Sequence, residues 1–406
     1  MTTIGVLGGR WRATVSSAGL IEPWDGSPTL DWAIAADDRW HVPSSEGTAR
    51  QVRVDGSPVI ETRVRIPSGD AVQRIWCVAD GGGFTIVEVE NDSTLPFAVA
   101  FNRSDVLSAR PPTTVPIEGI DLPEDSITFP VGHRSTIRIA LAHAGQKTLP
   151  DNVSSAAGVA RGWTAMVERA GRILVPDEAF AAMIAQLRCD LALIGPPEPT
   201  EDPVGFLIGV AQLVRMGERA EPWVTDVADA VAVAAKLPAA WDLDAALDSA
   251  GLVLSRAGEP RALRDLARLR ATSTHPLPAD APTNRVLVWH ELALARPAGP
   301  GLGELLTNGL PGSWLGANFE VFDLPVGANT TVSYALRWHG DRPAVLWETR
   351  GPSVRLTSPT FGWSTTESKG EALWPAPEPV PGATVPVAPD APGSAVMPLG
   401  PDLSFS

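Results

Sequence analysis

The sequence has very little cysteine, tyrosine or lysine. Its 406 residues include two Cys and one Tyr, and lysine occurs only at Lys147, Lys236 and Lys369. Two cysteines as far apart as Cys77 and Cys189 provide neither a disulfide framework nor the spacing of a metal site. Both lie in apolar stretches, so we expect two buried thiols. No metal site and no cofactor are predicted.

Long hydrophobic runs and a basic surface are also absent from the sequence. No apolar run reaches the roughly 20 residues that cross a bilayer, and the first residues lack the basic and apolar regions of a secretory signal. The net charge is −15 at pH 7, which repels phosphate backbones and anionic lipids. We therefore expect a cytoplasmic protein without a nucleic-acid or membrane partner.

The residues that are present predict an α+β fold that begins with strands. In segments 60–66, 97–101 and 136–141, apolar and polar residues alternate with the period of a half-buried strand. Many short strands separated by turn clusters are typical of an antiparallel β-sandwich, which we assign to residues 1–149. Segment 5–9 is glycine-rich, but no helix follows it, so we interpret it as a hairpin turn and not as a dinucleotide loop.

Residues 150–300 change to helical spacing. Apolar residues in segments 180–191 and 206–214 recur every three or four positions. Asp202 precedes Pro203, which predicts an N-cap followed by a proline at the first helical position. Asp242 is predicted to cap a later helix in the same way.

A repeat within this block predicts its architecture. The pattern Arg-x-Gly recurs at Arg169, Arg215 and Arg256, as expected where glycine ends a helix and a cation meets the negative helix end. Repeats of this kind indicate stacked helix hairpins. We predict three hairpins and a seventh helix near 283–296, which together form a partial α/α toroid.

The remaining chain is predicted to return to strands and then to lose periodicity. Residues 301–374 contain alternating segments at 332–338 and 344–348, and we expect this C-terminal β segment to pack back on the rest. Residues 375–406 form a Pro-rich tail. The sequence leaves open whether this tail is ordered.

Candidate functional residues are carboxylates that lie beside some of the fourteen tryptophans. Glycosidases use two carboxyl groups about 5–10 Å apart, and flat aromatic faces suit sugar rings. For each carboxylate the alternative is helix capping, solvated charge or an Arg partner, and for each Trp it is core packing. The predicted catalytic residues are Asp242 and Glu291, and the predicted substrate-binding residues are Trp241, Trp289, Trp40 and Asp38.

This layout resembles the six-hairpin (α/α toroid) glycosidases with an N-terminal β-supersandwich, such as glucoamylases, maltose phosphorylases and glycogen-debranching enzymes. Segments 32–43, 61–91 and 337–343 are similar to actinobacterial proteins of that build, and the Arg-rich, Lys-poor composition is typical of such GC-rich genomes. A complete toroid needs twelve helices, however, whereas about 150 residues accommodate about seven. The resemblance therefore implies a reduced helical domain.

The resemblance implies a carbohydrate-active-enzyme-like protein whose partner is a glycan. Such a chain either binds glycan or has degenerate glycoside hydrolase activity, and the residues leave open whether it is an enzyme at all. The alternative is a non-enzymatic interaction or assembly protein. An open helical block exposes an apolar flank, which another subunit could cover in a homo-oligomer.

Overall fold

A computed structural model describes residues 1–114, 116–150, 152–270 and 274–377. Secondary structure amounts to 30% helix and 32% strand, with several antiparallel sheets, so the predicted α+β class is confirmed. Residues 378–406, most of the predicted tail, lie outside the described residues. Within the described ranges, no helix is long and apolar enough to cross a membrane.

The first 150 residues fold into strands that form three sheets. Their orders are β1-β2-β3, β12-β10-β4-β5 and β11-β13-β9-β8-β7-β6, with antiparallel neighbours throughout. The strands are β1 (Thr2–Gly5), β2 (Arg12–Val15), β3 (Ile21–Pro23), β4 (Trp32–Ala35), β5 (Trp40–His41), β6 (Arg50–Arg53), β7 (Ile60–Ile66), β8 (Gly69–Val78), β9 (Phe84–Ser93), β10 (Phe97–Phe101), β11 (Leu107–Ser108), β12 (Ile127–Val131) and β13 (Thr136–Ala142).

Side chains with period-two spacing contribute to a hydrophobic cluster that all three sheets share. Alternate residues of β7 are buried, and the segments predicted as strands at 60–66, 97–101 and 136–141 are β7, β10 and β13. One hydrophobic cluster takes buried side chains from all three sheets, among them Ile4, Ile34, Ile75, Val99 and Ile139.

The glycine-rich segment near the start is a hairpin turn, as predicted. Strands β1 and β2 pair antiparallel, with Gly5 opposite Arg12. The backbone N–H of Gly9 donates to the Val6 carbonyl at 3.0 Å and closes the turn. Because strand β2 follows this turn directly, no helix N-terminus is available there to hold a pyrophosphate.

The central segment forms seven helices within its described residues, together with one short strand. The seventh helix lies where it was predicted, near 283–296. The elements are α1 (Ala156–Val167), β14 (Arg172–Leu174), α2 (Glu178–Ile194), α3 (Pro203–Met216), α4 (Val224–Ala234), α5 (Trp241–Arg256), α6 (Pro260–Leu269) and α7 (Val286–Leu294).

The Arg-x-Gly repeat links successive helix ends. Gly217 follows α3 with φ +116° and its N–H donates to carbonyls of the last turn, as predicted for a C-terminal glycine. Two of the arginines also donate hydrogen bonds to backbone carbonyls of the preceding repeat. Arg215 donates to the carbonyl of Ala170 in the first motif, and Arg256 donates at 2.8 Å to the carbonyl of Val214, near the end of α3. The second and third repeats thus each bind the end of the preceding repeat.

The two predicted helix N-caps differ in outcome. Asp202 caps α3 through a hydrogen bond from the Gly205 N–H, with Pro203 at the first helical position, so this prediction is confirmed. The prediction for Asp242 is wrong, because Ala240 occupies the N-cap of α5 and Asp242 lies in the first turn. Trp241 is the first helical residue, so the helix begins two residues earlier than an N-cap at Asp242 predicts.

The C-terminal residues form two further sheets. Their orders are β14-β17-β18-β19-β22 and β15-β16-β20-β21, and β16 pairs with β20 in parallel. The segments predicted at 332–338 and 344–348 lie in β18 and β19. The strands are β15 (Ala295–Gly299), β16 (Leu302–Leu305), β17 (Phe319–Gly327), β18 (Thr330–His339), β19 (Arg342–Arg350), β20 (Arg355–Ser358), β21 (Trp363–Thr365) and β22 (Lys369–Leu373).

Strand β14 joins the helical segment to the C-terminal sheet. It lies between α1 and α2, yet it pairs antiparallel with β17, with Ile173 opposite Val321. Ile173, Ile184 and Leu294 belong to the same hydrophobic cluster as the buried residues of β17 and β18. The helices and the C-terminal strands therefore share a core.

Candidate functional site

An aromatic cleft lies where α2, α7 and the loop before β17 meet. Its volume is about 350 Å³, which is within the usual range for small-molecule sites. Four rings line it, from Phe180, Trp289, His290 and Trp314, and Asp177, Asn308 and Ser313 are exposed lining residues. We call this set of seven residues the aromatic cleft.

Local structure fixes the side chains of the cleft. The Asp177 carboxylate caps α2 by accepting from the Phe180 N–H at 3.0 Å, which sets the direction of the first turn and of the Phe180 ring. The indole N–H of Trp289 donates to the Pro278 carbonyl at 2.9 Å. Asn308 donates to the same carbonyl at 3.0 Å. The Trp289 indole is therefore held at its polar edge.

The rings of the aromatic cleft pack edge to face. The centroid of Phe180 lies 4.5 Å from that of His290 and 5.7 Å from that of Trp314, and Trp289 lies 4.9 Å from His290. Trp314 is 4% exposed and forms the floor, whereas Phe180, Trp289 and His290 are half-buried. Such contacts rigidify aromatic walls. A flat ligand would find a preformed apolar surface.

His290 is a neutral polar group in this apolar wall. Burial lowers the pKa of His290 below its ordinary value, against a smaller opposing effect of Asp177. Its buried Nδ1 has no hydrogen-bond partner among the described residues. The imidazole is therefore uncharged at pH 7, and its Nδ1 is a buried polar atom in the wall of the cleft.

Glu291, one of the two predicted catalytic carboxylates, lies at a buried charge centre. It is 4% exposed. Its Oε1 accepts from Arg188 at 2.6 Å, and its Oε2 accepts from Arg215 at 2.6 Å and from Gln212 at 2.7 Å. Arg188 also donates to the carbonyls of Val167 and Gly171 near the end of α1. These bonds tie α2, α3 and α7 together.

The electrostatics of this centre keep Glu291 ionised. Burial by itself raises the pKa of Glu291, but the charges of Arg215 and Arg188 outweigh it, and the pKa lies below its ordinary value. The cavity beside the carboxylate measures about 50 Å³, which is room for one or two water molecules. Its contacts are those of a structural ion pair, and its catalytic role stays a prediction.

Asp242, the other predicted catalytic residue, has different partners. Its Oδ1 accepts from the Leu243 N–H at 3.0 Å, and its Oδ2 lies 3.8 Å from Nε of Arg285. Arg285 donates at 2.7 Å to Asp202, the N-cap of α3. Trp241 packs at the edge of the helical core. Asp242 is therefore part of a charged cluster where the N-terminal ends of α3, α5 and α7 meet.

Trp40 and Asp38 lie in the N-terminal sheets, on β5 and the turn before it. The Trp40 indole donates to the Glu118 carbonyl at 2.8 Å. Asp38 accepts from Nε2 of the buried His41 at 3.0 Å, a hydrogen bond that lowers the pKa of Asp38, and Glu46 lies 3.0 Å from the other ring nitrogen. These contacts order the turn.

Of the six predicted site residues, Trp289 alone lines the aromatic cleft among the residues described. Sequence reasoning missed Asp177, Phe180 and Asn308 as functional residues, because a helix cap, a helical apolar stripe and a loop amide have ordinary structural uses. The available signal was the adjacent pair Trp289-His290 on a short helix, since both rings line the cleft.

Comparison of the chain with protein-family models, with curated proteins and with solved structures found no match.

Proposed function

We propose that the chain binds an uncharged glycan in the aromatic cleft. The observation that carries this proposal is the cleft of about 350 Å³ with Trp289 and Phe180 as walls, Trp314 as the floor, and Asp177 and Asn308 among its exposed polar residues. The apolar C–H faces of a sugar ring pack on aromatic rings, and its hydroxyl groups need hydrogen-bond partners. The resemblance to α/α toroid glycosidases favours α-linked glucose oligosaccharides as ligands.

The proposal is binding without hydrolysis. A glycosidase places two carboxyl groups across the scissile bond, whereas the described lining of the aromatic cleft contains one, Asp177. Asp177 also caps α2, which occupies one carboxylate oxygen. Glu291 is held by two arginines elsewhere. If the chain is an enzyme, Asp242 and Glu291 stay the sequence-based candidates for glycoside hydrolysis.

We also propose that the helices form a partial α/α toroid behind an N-terminal β-sandwich. Two observations support this arrangement. The ends of α3, α5 and α7 converge through Asp202, Asp242 and Arg285, and the repeat arginines connect one helix end to the next.

Isothermal titration with maltotriose, cellotriose and xylotriose tests the binding proposal. We expect the wild type to bind maltotriose and Trp289→Ala to lose at least about tenfold in affinity, equivalent to about 1.4 kcal/mol. Asp177→Asn keeps a good N-cap but weakens the acceptor, so we expect a smaller loss.

A matched control is Trp24→Ala. Trp24 is 52% exposed and lies on the loop after β3, and its indole donates to Thr14. We expect this variant to bind like the wild type. If the wild type binds none of the three sugars, the aromatic cleft is excluded as a glycan site. Equal sugar affinity of the wild type and Trp289→Ala would exclude it as well.

A second candidate function is interaction or assembly through an exposed apolar surface. Leu7 and Ile194 are 50% and 60% exposed, and both line a groove of about 420 Å³ where the β1–β2 turn meets the end of α2. Light scattering at increasing concentration tests this candidate. A dimer that Ile194→Asp dissociates would support it, and a concentration-independent monomer would oppose it.

A further inference from the structure

A second, apolar cleft lies between α2, α3 and α7. Its volume is about 470 Å³, and its lining shares no residue with that of the aromatic cleft. We call it the α2–α3–α7 cleft. Its apolar walls include Met183, Leu187 and Leu191 of α2, Ile208 of α3, and Leu287 and Val288 of α7.

The α2 wall is an apolar helix stripe that the core covers only in part. Helical spacing predicts burial of Met183, Leu187 and Leu191. In the structure Ile184 is buried, but these three side chains stay half-buried and face the cleft. Covering such a surface with an apolar molecule is favourable.

A buried hydrogen-bond acceptor without a partner lies in the wall of the cleft. Gln212 is 3% exposed and lines both this cleft and the small cavity beside Glu291. Its Nε2 donates to Glu291 at 2.7 Å, which fixes the amide orientation. Its Oε1 has no hydrogen-bond partner within the described ranges. A buried acceptor without a donor is costly, and a ligand hydroxyl would relieve that cost.

The mouth of the cleft is unfavourable for an anion. Arg285 lines it and donates to both carboxylate oxygens of Asp202. The Asp242 carboxylate lies 3.8 Å from Nε of Arg285. Two carboxylates thus surround one guanidinium, which leaves a net negative charge that repels a fatty-acid carboxylate. An uncharged polar group is the better match.

We propose that the α2–α3–α7 cleft binds an uncharged aliphatic molecule that carries a hydroxyl group. The aliphatic chain packs on the α2 stripe and on α7, and the hydroxyl donates to Oε1 of Gln212. This site is independent of the proposed glycan site.

Three eight-carbon probes test the proposal by ligand-observed saturation-transfer NMR. 1-Octanol has a donor, 1-methoxyheptane has the same atoms without one, and octanoate carries a negative charge. We expect 1-octanol to bind about fivefold more tightly than the ether, as one buried hydrogen bond provides. Octanoate should bind more weakly than 1-octanol.

Two variants locate the binding. Leu187→Trp fills the cleft and should abolish 1-octanol binding, and Leu237→Trp is the matched control on a side chain that is 42% exposed after α4. Gln212→Met removes the acceptor and should make the alcohol and the ether bind equally. If Leu187→Trp does not fold, Met183→Trp replaces it.

The proposal is overturned if wild-type protein binds none of the probes, or if Leu187→Trp binds 1-octanol as the wild type does. Equal binding of alcohol and ether by the wild type would also contradict it. Maltotriose titration of Leu187→Trp separates the two sites, because this variant should retain glycan affinity if both proposals hold.

Discussion

At the residue scale, the contacts of Glu291 are those of a buried structural ion pair. Its two oxygens bind Arg188, Arg215 and Gln212 in the protein interior. The sequence shows a carboxylate beside aromatic residues, which fits either role. What it does not show is that two arginines, 103 and 76 residues away, reach the same buried point. Long-range pairing of this kind depends on tertiary packing.

Removal of the Glu291 charge should destabilise the fold. Glu291→Gln leaves Arg188 and Arg215 buried without a counter-charge, so we expect a loss of about 3–5 kcal/mol in the free energy of unfolding. Urea denaturation measures it. Asp265→Asn is the control, since its pair with Arg268 is exposed and should contribute under about 1 kcal/mol. A Glu291→Gln variant as stable as the wild type would contradict the structural role.

The same ion pair predicts a pH dependence. The pKa of Glu291 is lower in the folded chain than its ordinary value of 4.5. Its contribution to stability is therefore complete above the unfolded-state pKa, and it is lost as the pH falls below about 4.5 towards the folded-state pKa. Urea midpoints measured between pH 7 and pH 3 should fall less in Glu291→Gln than in the wild type. Parallel curves would be inconsistent with this linkage.

Both cysteines should be inert in the native protein. Cys77 and Cys189 are buried, and burial raises the pKa of each thiol to about 12. Thiolate is the reactive form, so a disulfide reagent at pH 8 should label neither thiol until denaturant is added. Rapid labelling of the native chain would show that at least one of the two thiols is not buried.

At the element scale, the position of a glycine in a helix decides whether its replacement by alanine raises or lowers the free energy of unfolding. Gly217 has φ +116° at the end of α3, and Gly162 lies in the exposed interior of α1. Gly217→Ala should destabilise by about 1–2 kcal/mol because of backbone strain, whereas Gly162→Ala should stabilise by up to about 1 kcal/mol through helix propensity. Thermal unfolding measures both. If both variants change the melting temperature in the same direction, Gly217 is not the left-handed residue that ends α3.

Patterns among neighbouring residues predicted where strands and helices lie in the sequence better than they predicted what each of them packs against. Alternation gave strands β7, β10 and β13, and the Arg-x-Gly pattern gave the end of α3, because both depend on neighbouring residues. The apolar stripe of α2 has the spacing of a core-facing helix surface, yet Phe180, Met183, Leu187 and Leu191 line two clefts. Periodicity identifies an apolar face but does not say whether protein or a ligand covers it.

At the scale of the whole molecule, strand β14 connects segments that the sequence separates. Three residues are too few for a reliable strand signal, and their pairing with β17 spans about 150 residues of chain. The predicted boundaries at 150, 301 and 375 stay predictions. The aromatic cleft has the same origin, since α2, α7 and the loop before β17 each provide part of it.

Truncation tests this connection. A fragment of residues 1–300 lacks β17 and β18 and exposes Ile173, Ile184 and Leu294, each a loss of about 1.5–3 kcal/mol of apolar burial. We expect the fragment to be protease-sensitive and to unfold without a cooperative transition. A fragment with the melting temperature of the full chain would contradict the shared core.

The most direct test of glycan binding in the aromatic cleft is fluorine NMR. The chain would be labelled with 5-fluorotryptophan at its fourteen Trp positions and titrated with maltotriose, with each resonance assigned by substitution. We predict that the resonances of Trp289 and Trp314 shift together while that of Trp24 does not. Shifts confined to tryptophans outside the aromatic cleft, or no shift at saturating sugar, would contradict the account.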